Sequence, residues 1–485
     1  MPYSSPTLGD VMRLLVRNED HANRTLSMVP SETAMSGIAK LPMMLDAYHR
    51  YFFNESDNPD GWHFRGAQHL RDLEMGLTVP LLEELGRADY VTVRPLSGLN
   101  AMTLALATLG GEPGSTVVTI SPALGGHYAT PQVAERLGLR VEFLTGDDPH
   151  ALDLDHAAEV LARVRPTLLY VDQSHCLFPL DVASLVATVR AASPETLVHV
   201  DASHWLGLVL AGVFRNPLDE GADSFGGSTH KTFPGPQKAV LLTRNKEVER
   251  RIRETQDYLI SSHHFAATIS LGISLLEFRD FGGADYARAV VAHTRRFGEL
   301  LTERGLTVVA ADRGYSAGHQ LWLDPERDGV PAKVASDRLF AAGLRVNFMA
   351  GLPGFTGQGV RIGLNEATYQ GLSGEDFTEL ADIFVAAVRA TAPADELARR
   401  VAALRTRTPY GAPLGADSPL LQDALALCAA SLRTLPADTL AGDTVQAEAL
   451  PADALTGDTV PAEGLVVTVP AVPAGVGVGV GGGAR

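Results

Sequence analysis

The sequence predicts an α/β protein with a mostly parallel sheet, helices on both of its faces and a smaller second domain. Seven short runs rich in apolar and β-branched residues, between positions 90 and 243, alternate with segments of helical periodicity. Polar and glycine-rich residues follow most of these runs, where α/β folds place their ligands. A length of 485 residues suits a two-domain enzyme with extensions.

The N-terminal part is expected to be helical and to lead into an aromatic loop. Residues 7–25 carry apolar side chains at helical spacing, and residues 36–50 are again helix-like. Residues 51–64 are rich in aromatic and turn residues. A long loop of this kind is usually functional or packs against a partner subunit.

From about residue 89 the chain alternates between strand and helix. Strands are expected at 90–93, 117–120, 141–144, 168–171, 196–200, 222–225 and 239–243, and helices at 101–109, 129–137, 155–164 and 182–192. This alternation predicts the parallel sheet.

A smaller domain is expected to follow. Residues 246–300 are predicted to be largely helical, with strands then at 306–310, 320–323 and 359–363 and helices at 331–342 and 375–391. We divide the chain into an N-terminal arm (1–35), a large domain (36–280), a small domain (281–405) and an extension (406–485). From about residue 436 the extension nearly repeats itself and has few aromatic residues, so we expect it to be disordered.

Composition excludes several classes of function. The net charge is −17 and no basic stripe occurs, which argues against nucleic-acid binding. Cys176 and Cys428 lie too far apart in the sequence to suggest a disulfide framework or a metal site, and a reducing, cytoplasmic setting is the default. The uncharged stretch 464–484 consists mainly of Val, Gly and Pro, so membrane association is not expected.

Two motifs at strand ends predict the chemistry. Ser228-Thr-His-Lys-Thr follows one strand, and Asp201-Ala-Ser-His follows the strand before it. A lysine near a carboxylate and a histidine is a candidate Schiff-base lysine, here Lys231. Asp201 could keep the ring nitrogen of pyridoxal 5′-phosphate (PLP) protonated.

Two further sites are candidates for binding anions. Ser97 and Gly98 lie between a strand and a helix, so backbone N–H groups there could hold a phosphate. Arg361 lies within an apolar strand, where an unpaired guanidinium would be costly, so it is expected to meet an anion; a structural salt bridge is the alternative.

Over residues 8–395 these motifs resemble serine hydroxymethyltransferase and its relatives, PLP enzymes of fold type I. The matching pieces include Pro30-Ser-Glu, Leu96-Ser-Gly, Gly125-Gly-His, Asp201-Ala-Ser-His, Thr229-His-Lys-Thr, His319 and Val360-Arg-Ile-Gly. The resemblance implies a seven-stranded large domain and a homodimer with shared active sites.

The resemblance also implies roles for individual residues. Lys231 would hold PLP as a Schiff base and Asp201 would pair with its ring nitrogen. His127 would stack on the ring and is the expected proton handler. The other implied cofactor contacts are Ser174 and His204 near the phenolic oxygen, Ser97, Gly98, Thr229 and His230 at or near the phosphate, and Tyr51 from across the dimer interface. Arg361 would clamp the substrate carboxylate, and Ser31 is a second candidate on the substrate side.

Departures from the folate-dependent members favour the threonine transaldolase branch of this family. Phe53 stands where those members have a glutamate, although Glu55 is nearby, and Phe233-Pro-Gly-Pro-Gln follows the lysine motif. The expected reaction is PLP-dependent cleavage of L-threonine to acetaldehyde and a glycine carbanion that adds to a second aldehyde. The alternatives are a folate-dependent serine or α-methylserine hydroxymethyltransferase and a simple threonine aldolase. The acceptor aldehyde stays open; residues 51–64 and 348–355 are expected to decide it.

Overall fold

The computed structural model of the chain describes residues 7–52, 63–407, 409–410 and 418–431. All described residues belong to one compact unit, the first of two into which the chain divides. Phe53, Glu55 and the stretch predicted to be disordered lie outside the described residues.

The predicted fold class is confirmed, because the first unit is built around a seven-stranded, mostly parallel sheet. In chain order the strands are β1 (Leu26–Ser27), β2 (Tyr90–Thr92), β3 (Thr116–Ile120), β4 (Arg140–Leu144), β5 (Leu168–Asp172), β6 (Leu197–Asp201), β7 (Ser224–Ser228), β8 (Ala239–Thr243), β9 (Gln320–Leu323), β10 (Leu344–Arg345), β11 (Asn347–Ala350) and β12 (Gln358–Gly363). The large sheet has the order β2-β8-β7-β6-β5-β3-β4, and β8 runs in the direction opposite to the other six strands.

Helices surround this sheet and the smaller sheets. In chain order they are α1 (Leu8–Arg24), α2 (Gln68–Leu73), α3 (Val79–Gly86), α4 (Gly98–Leu109), α5 (Ala129–Arg136), α6 (Leu154–Val164), α7 (Val182–Ala192), α8 (Leu206–Leu210), α9 (Lys246–Leu259), α10 (Phe265–Asp280), α11 (Gly283–Glu303), α12 (Ala332–Ala341), α13 (Asn365–Tyr369), α14 (Gly374–Arg389), α15 (Ala394–Leu404) and α16 (Pro419–Ser431). A π-helical turn, Glu74–Thr78, joins α2 to α3. No helix among the described residues is both long and apolar enough to span a bilayer.

Two separate cores lie on the two faces of the large sheet. Val200 and Phe225 pack with α6, α7 and α8 on one face, and Leu168 and Leu241 pack with α4 and α9 on the other. This arrangement agrees with the predicted helices on both faces.

A third core surrounds the antiparallel sheet β11-β12-β9 and is closed by α11, α12 and α14. It is consistent with a smaller domain, although the proposed boundary at residues 280–281 stays a prediction.

Three sequence predictions about local structure need correction. Residues 36–50 form two short 3₁₀ helices, Ile38–Met44 and Asp46–His49, because Pro42 lacks the N–H that an α-helix needs. Residues 306–310 do not form a strand, since only Val308 bridges to Leu323. The strand expected at 222–225 begins two residues later, as β7.

The parallel strands bring three chain segments to one edge of the sheet. Asp172 ends β5 and Asp201 ends β6, and the two are direct register partners. Ser228 ends the next strand, β7, and Lys231 follows three residues later. The lysine and aspartate motifs therefore meet at the carboxyl edge, as expected for ligand sites in such sheets.

Candidate active site

A cavity at this carboxyl edge brings together six of the predicted site residues. It is lined by Gly98, Leu99, Met102, His127, Asp172, Gln173, Ser174, Asp201, Ser203, His204, Ser228 and Lys231. Gly98, His127, Ser174, Asp201, His204 and Lys231 were expected from the sequence. Of the others, Asp172 and Gln173 are buried polar residues that the sequence analysis did not single out.

Lys231 has an amine suited to attack a carbonyl carbon. Burial lowers the pKa of Lys231 to about 8; the charge of Asp201 opposes this shift and that of Arg361 adds to it. About a tenth of the amine is therefore uncharged at pH 7, which is the nucleophilic form and far more than an ordinary lysine offers.

Asp201 is held by two hydrogen bonds at the edge of β6. The Tyr170 hydroxyl donates to Oδ2 at 2.9 Å, and the backbone N–H of Ser203 donates to Oδ1 at 2.9 Å. A fixed carboxylate of this kind can keep a ring nitrogen protonated.

His127 stands on a turn that only glycine can form. Gly125 has φ +91°, and a Cβ on it would fall 1.9 Å from the carbonyl oxygen of His175. The backbone N–H of Ala129 donates to His127 Nδ1 at 3.2 Å. Burial lowers the pKa of His127. The neutral ring therefore carries its proton on Nε2, which makes Nε2 a hydrogen-bond donor.

His204 belongs to a buried polar cluster that reaches into the smaller sheet. Its Nδ1 lies 3.2 Å from His319 Nε2 and 3.3 Å from Gln320 Nε2. Burial lowers the pKa of His204 well below its usual value, and the charge of Lys231 adds to this shift. The Gln320 amide also donates to the carbonyl oxygen of Ser174 at 3.1 Å. His204 and Ser174 are thus held in place by Gln320, the first residue of β9, and His204 also by His319 just before it.

Arg361 is buried, and none of its hydrogen bonds in the described part of the chain goes to a carboxylate. Its guanidinium donates to the Ser174 carbonyl oxygen at 3.3 Å and to Asn347 Oδ1 at 3.2 Å, while Nε has no hydrogen-bond partner. Burial lowers the pKa of Arg361 to about 10. A desolvated cation with neutral partners is suited to receive an anionic ligand.

The expected phosphate site lies at the start of α4, a helix of 12 residues. Ser97 is the N-cap residue, and its hydroxyl accepts from Asn100 N–H at 3.2 Å. A Cβ on Gly98 would fall 2.2 Å from Ser228 Oγ, so the backbone approaches closely there. His230 Nδ1 is buried, and no described residue hydrogen-bonds to it. Free N–H groups at a helix start favour an anion.

Thr229, Ser31 and Tyr51 do not line the cavity. The Thr229 hydroxyl is fully buried and donates to the Pro236 carbonyl oxygen at 2.6 Å, so the structure gives it a different partner from the expected phosphate. The turn containing Ser31 lies against the lysine loop, because Thr33 Oγ1 donates to the Lys231 carbonyl oxygen at 2.5 Å. Tyr51 hydrogen-bonds with Ser261 at 2.7 Å.

The residues present fit PLP. Lys231 would supply the amine, Asp201 the carboxylate for the ring nitrogen, His127 an imidazole, and the start of α4 a phosphate site. His230, next to Lys231 in the chain, has a buried Nδ1 for which the described residues supply no hydrogen-bond partner. Among the described residues, no group of three or more side chains could hold a metal ion.

Comparisons with known proteins identify the family. The family model described as "Serine hydroxymethyltransferase" matches residues 9–384. An "L-threonine:uridine-5'-aldehyde transaldolase" from Amycolatopsis sp. is 43% identical over 75% of this chain and 88% of its own length. The "Fluorothreonine transaldolase" of Streptantibioticus cattleyicolor is 32% identical over 85% of this chain and 66% of its own length. A crystal structure of L-threonine transaldolase from Pseudomonas fluorescens in the internal aldimine state has a TM-score of 0.75 at 25% identity, covering 84% of this chain and 92% of that one.

Proposed function

Because the chain belongs to the serine hydroxymethyltransferase family, we propose that it is an L-threonine transaldolase. It is a PLP-dependent enzyme. The proposed reaction cleaves L-threonine to acetaldehyde and transfers the glycine unit to a second aldehyde, which gives a new β-hydroxy-α-amino acid. Secondary metabolism is the expected setting, since one relative is named for fluorothreonine and others for a nucleoside aldehyde.

One observation carries this proposal: Lys231 and Asp201 share a cavity with His127, and a buried Arg361 without a carboxylate partner contacts Ser174 in its wall. The set contains an amine for the cofactor carbonyl and a cation for an amino-acid carboxylate. The relatives at 42–43% identity that are named transaldolases support the choice of reaction within the family.

Each residue has a defined task in the proposed reaction. When bound, PLP supplies an electron sink for the negative charge left at Cα as the Cα–Cβ bond breaks. The Lys231 amine attaches the cofactor, and Asp201 holds the proton on the ring nitrogen. Arg361 fixes the substrate carboxylate and thereby orients the bond to be broken.

His127 is proposed to stack on the ring and to donate a hydrogen bond through Nε2. The sequence analysis also expected it to take the proton from the β-hydroxyl group. Because Ala129 N–H occupies Nδ1, His127 could accept a proton at neither nitrogen without first changing its tautomer or turning. We therefore expect His127→Phe to retain part of the cleavage activity, whereas loss of an obligatory base would abolish it.

The assay that tests the function measures acetaldehyde release from L-threonine by the purified enzyme, with and without an acceptor aldehyde. We expect release without tetrahydrofolate and formation of a new amino acid when the acceptor is present. Strict dependence on tetrahydrofolate would instead indicate a hydroxymethyltransferase. Free glycine as the main product in the presence of acceptor would indicate a simple aldolase.

For the acceptor, we propose that uridine-5'-aldehyde be tested first. Three relatives named for this aldehyde are 42–43% identical, against 32% for the fluorothreonine enzyme. A short aliphatic aldehyde should be the poorer acceptor if this holds.

We also propose a homodimer with shared active sites. Exposed apolar residues surround the cavity entrance and the start of α4, among them Leu96, Leu99 and Tyr128, and helix α1 exposes a row that includes Leu8 and Leu15. Mixed dimers of Lys231→Ala and Tyr51→Ala protomers provide a test, because one of their two sites keeps both residues. About a quarter of wild-type activity should return in a random mixture.

A cytoplasmic location stays a prediction.

A further inference from the structure

A second carboxyl group lies beside Asp201 in the cavity, and none of the roles above uses it. Asp172 is 2% exposed, ends β5 and is the register partner of Asp201. We propose that Asp172 is a positioning residue that holds the His127 turn over the cavity through the His127 backbone N–H and the Thr130 hydroxyl. The inference rests on the proposed function, because it concerns the same reaction.

Three donors converge on the Asp172 carboxyl group. The Thr130 hydroxyl donates to Oδ2, the Thr119 hydroxyl lies 3.4 Å from Oδ1, and the backbone N–H of His127 faces the group closely enough to oppose the rise in the pKa of Asp172. These donors come from β3, from the turn before α5 and from α5 itself. A buried side chain with contacts to three elements fixes their relative positions.

The contacts bracket the residue that is expected to stack on the cofactor ring. His127 and Thr130 are the two ends of one turn, since Thr130 N–H donates to the His127 carbonyl oxygen at 3.1 Å. Between them, Ala129 N–H orients the imidazole through Nδ1. Asp172 holds both ends of this turn, so its loss would free the imidazole without removing it.

The charge state of Asp172 should control how firmly the turn is held. An ionised carboxylate only accepts hydrogen bonds and can take all three donors, whereas the protonated group must place a proton among them. The titratable groups that face it are Asp201 on β6, Tyr170 on its own strand and His127; β3 and α5 present only the threonine hydroxyls. The ionised form is therefore the better clamp.

This charge is expected to change within the neutral range. Burial raises the pKa of Asp172 to about 8, the charge of Asp201 raises it further, and the Thr130 hydroxyl opposes the shift. A cation paired with Asp201 would lower the pKa of Asp172. We therefore expect Asp172 to ionise between about pH 6 and 9. Turnover should rise with pH over this interval.

The test compares the wild-type holoenzyme with Asp172→Asn and Thr130→Val. Turnover of L-threonine and the melting temperature are measured from pH 6 to 9. We expect the turnover of Asp172→Asn not to show the rise with pH that is expected for the wild type (the rising limb). At pH 9 its turnover should be about tenfold or more below that of the wild type, with KM within about threefold. Thr130→Val removes a donor that stabilises the carboxylate, so its limb should move to higher pH.

The melting temperature gives a readout that does not depend on activity. A carboxyl group with a raised folded pKa contributes stability that is lost as pH rises through that pKa. The wild type should therefore lose melting temperature relative to Asp172→Asn between pH 6 and 9. Asp153→Asn is the matched control, because Asp153 caps α6 away from the cavity and asparagine caps equally well.

The outcomes separate this inference from the proposed function. Failure of the wild type to release acetaldehyde would overturn the function. An active wild type whose rising limb and relative melting temperature are unchanged in Asp172→Asn would overturn the inference. If Asp172→Asn does not fold, an unshifted limb in Thr130→Val has the same meaning.

Discussion

Replacement of Arg361 by methionine should strongly reduce the stabilisation of the transition state for L-threonine cleavage. Within the part of the chain that the structure describes, the guanidinium donates hydrogen bonds only to the neutral oxygens of Ser174 and Asn347, at 3.3 and 3.2 Å. A substrate carboxylate could accept two charge-assisted hydrogen bonds, each of about 1.5–3 kcal/mol. Their loss, about 3–6 kcal/mol, corresponds to a decrease in kcat/KM of about 10²–10⁴-fold.

The assay pairs two enzymes with two substrates. L-Threoninamide lacks the carboxylate, so the wild type should prefer L-threonine over it by a similar factor, and Arg361→Met should not discriminate. Because the variant also removes a buried cation without an anionic partner, its melting temperature should be equal to or above that of the wild type.

The control is Arg304→Met, since Arg304 pairs with Asp382 on the surface at 2.6 Å. Its kcat/KM should stay within about twofold of the wild type. The reasoning fails if Arg361→Met keeps kcat/KM within threefold, or if it still prefers L-threonine over the amide.

Three further predictions follow from the same site and its surroundings. Lys231→Ala should abolish both L-threonine cleavage and the visible absorbance of bound PLP, as measured on the purified protein after dialysis; retained colour and turnover would refute its role. Asp201→Asn should lower turnover by about 10²-fold or more with the fold intact by circular dichroism, because an amide cannot stabilise the protonated ring nitrogen; near-normal turnover would refute that pairing. Burial raises the pKa of Glu277 to about 7, so its contribution to stability is greatest below about pH 4.5 and declines as pH rises to 7. Denaturant titrations of Glu277→Gln should therefore show a flatter decline in the free energy of unfolding than the wild type over that interval, and parallel curves would contradict the shift.

The motifs of the cavity were predictable because of their position on strands. Asp201 follows a β-branched run at 196–200 and Lys231 follows a shorter strand-like piece at 222–225, and parallel neighbours end at the same edge of a sheet. The expectation that they meet therefore needed only the alternation of strands and helices. The expectation that Arg361 meets an anion had a different basis. It followed from the cost of burying an unpaired charge within an apolar strand.

The role of Asp172 was not predictable in the same way. It follows the expected strand 168–171 within a polar segment that could equally be a surface loop. Its inward position depends on the strand order, which places β5 beside β6 and pairs Asp172 with Asp201. Pairing between distant strands is not encoded in local periodicity.

His319 and Gln320 were harder still, because their contacts cross between two sheets. A histidine before the strand 320–323 gives no local sign that it lies 3.2 Å from His204. The failed strand at 306–310 shows the opposite error: a β-branched run forms a strand only if it finds a partner, and there only Val308 does.

The fate of isotope from labelled L-threonine tests the central claim most directly. Enzyme with PLP, uniformly ¹³C- and ¹⁵N-labelled L-threonine and unlabelled uridine-5'-aldehyde would be incubated without folate, and the products analysed by mass spectrometry. Our account predicts that two labelled carbons and the labelled nitrogen pass together into the new β-hydroxy-α-amino acid, with one labelled acetaldehyde released for each transfer. Label found only in free glycine, with a panel of other aldehydes giving the same result, would contradict it.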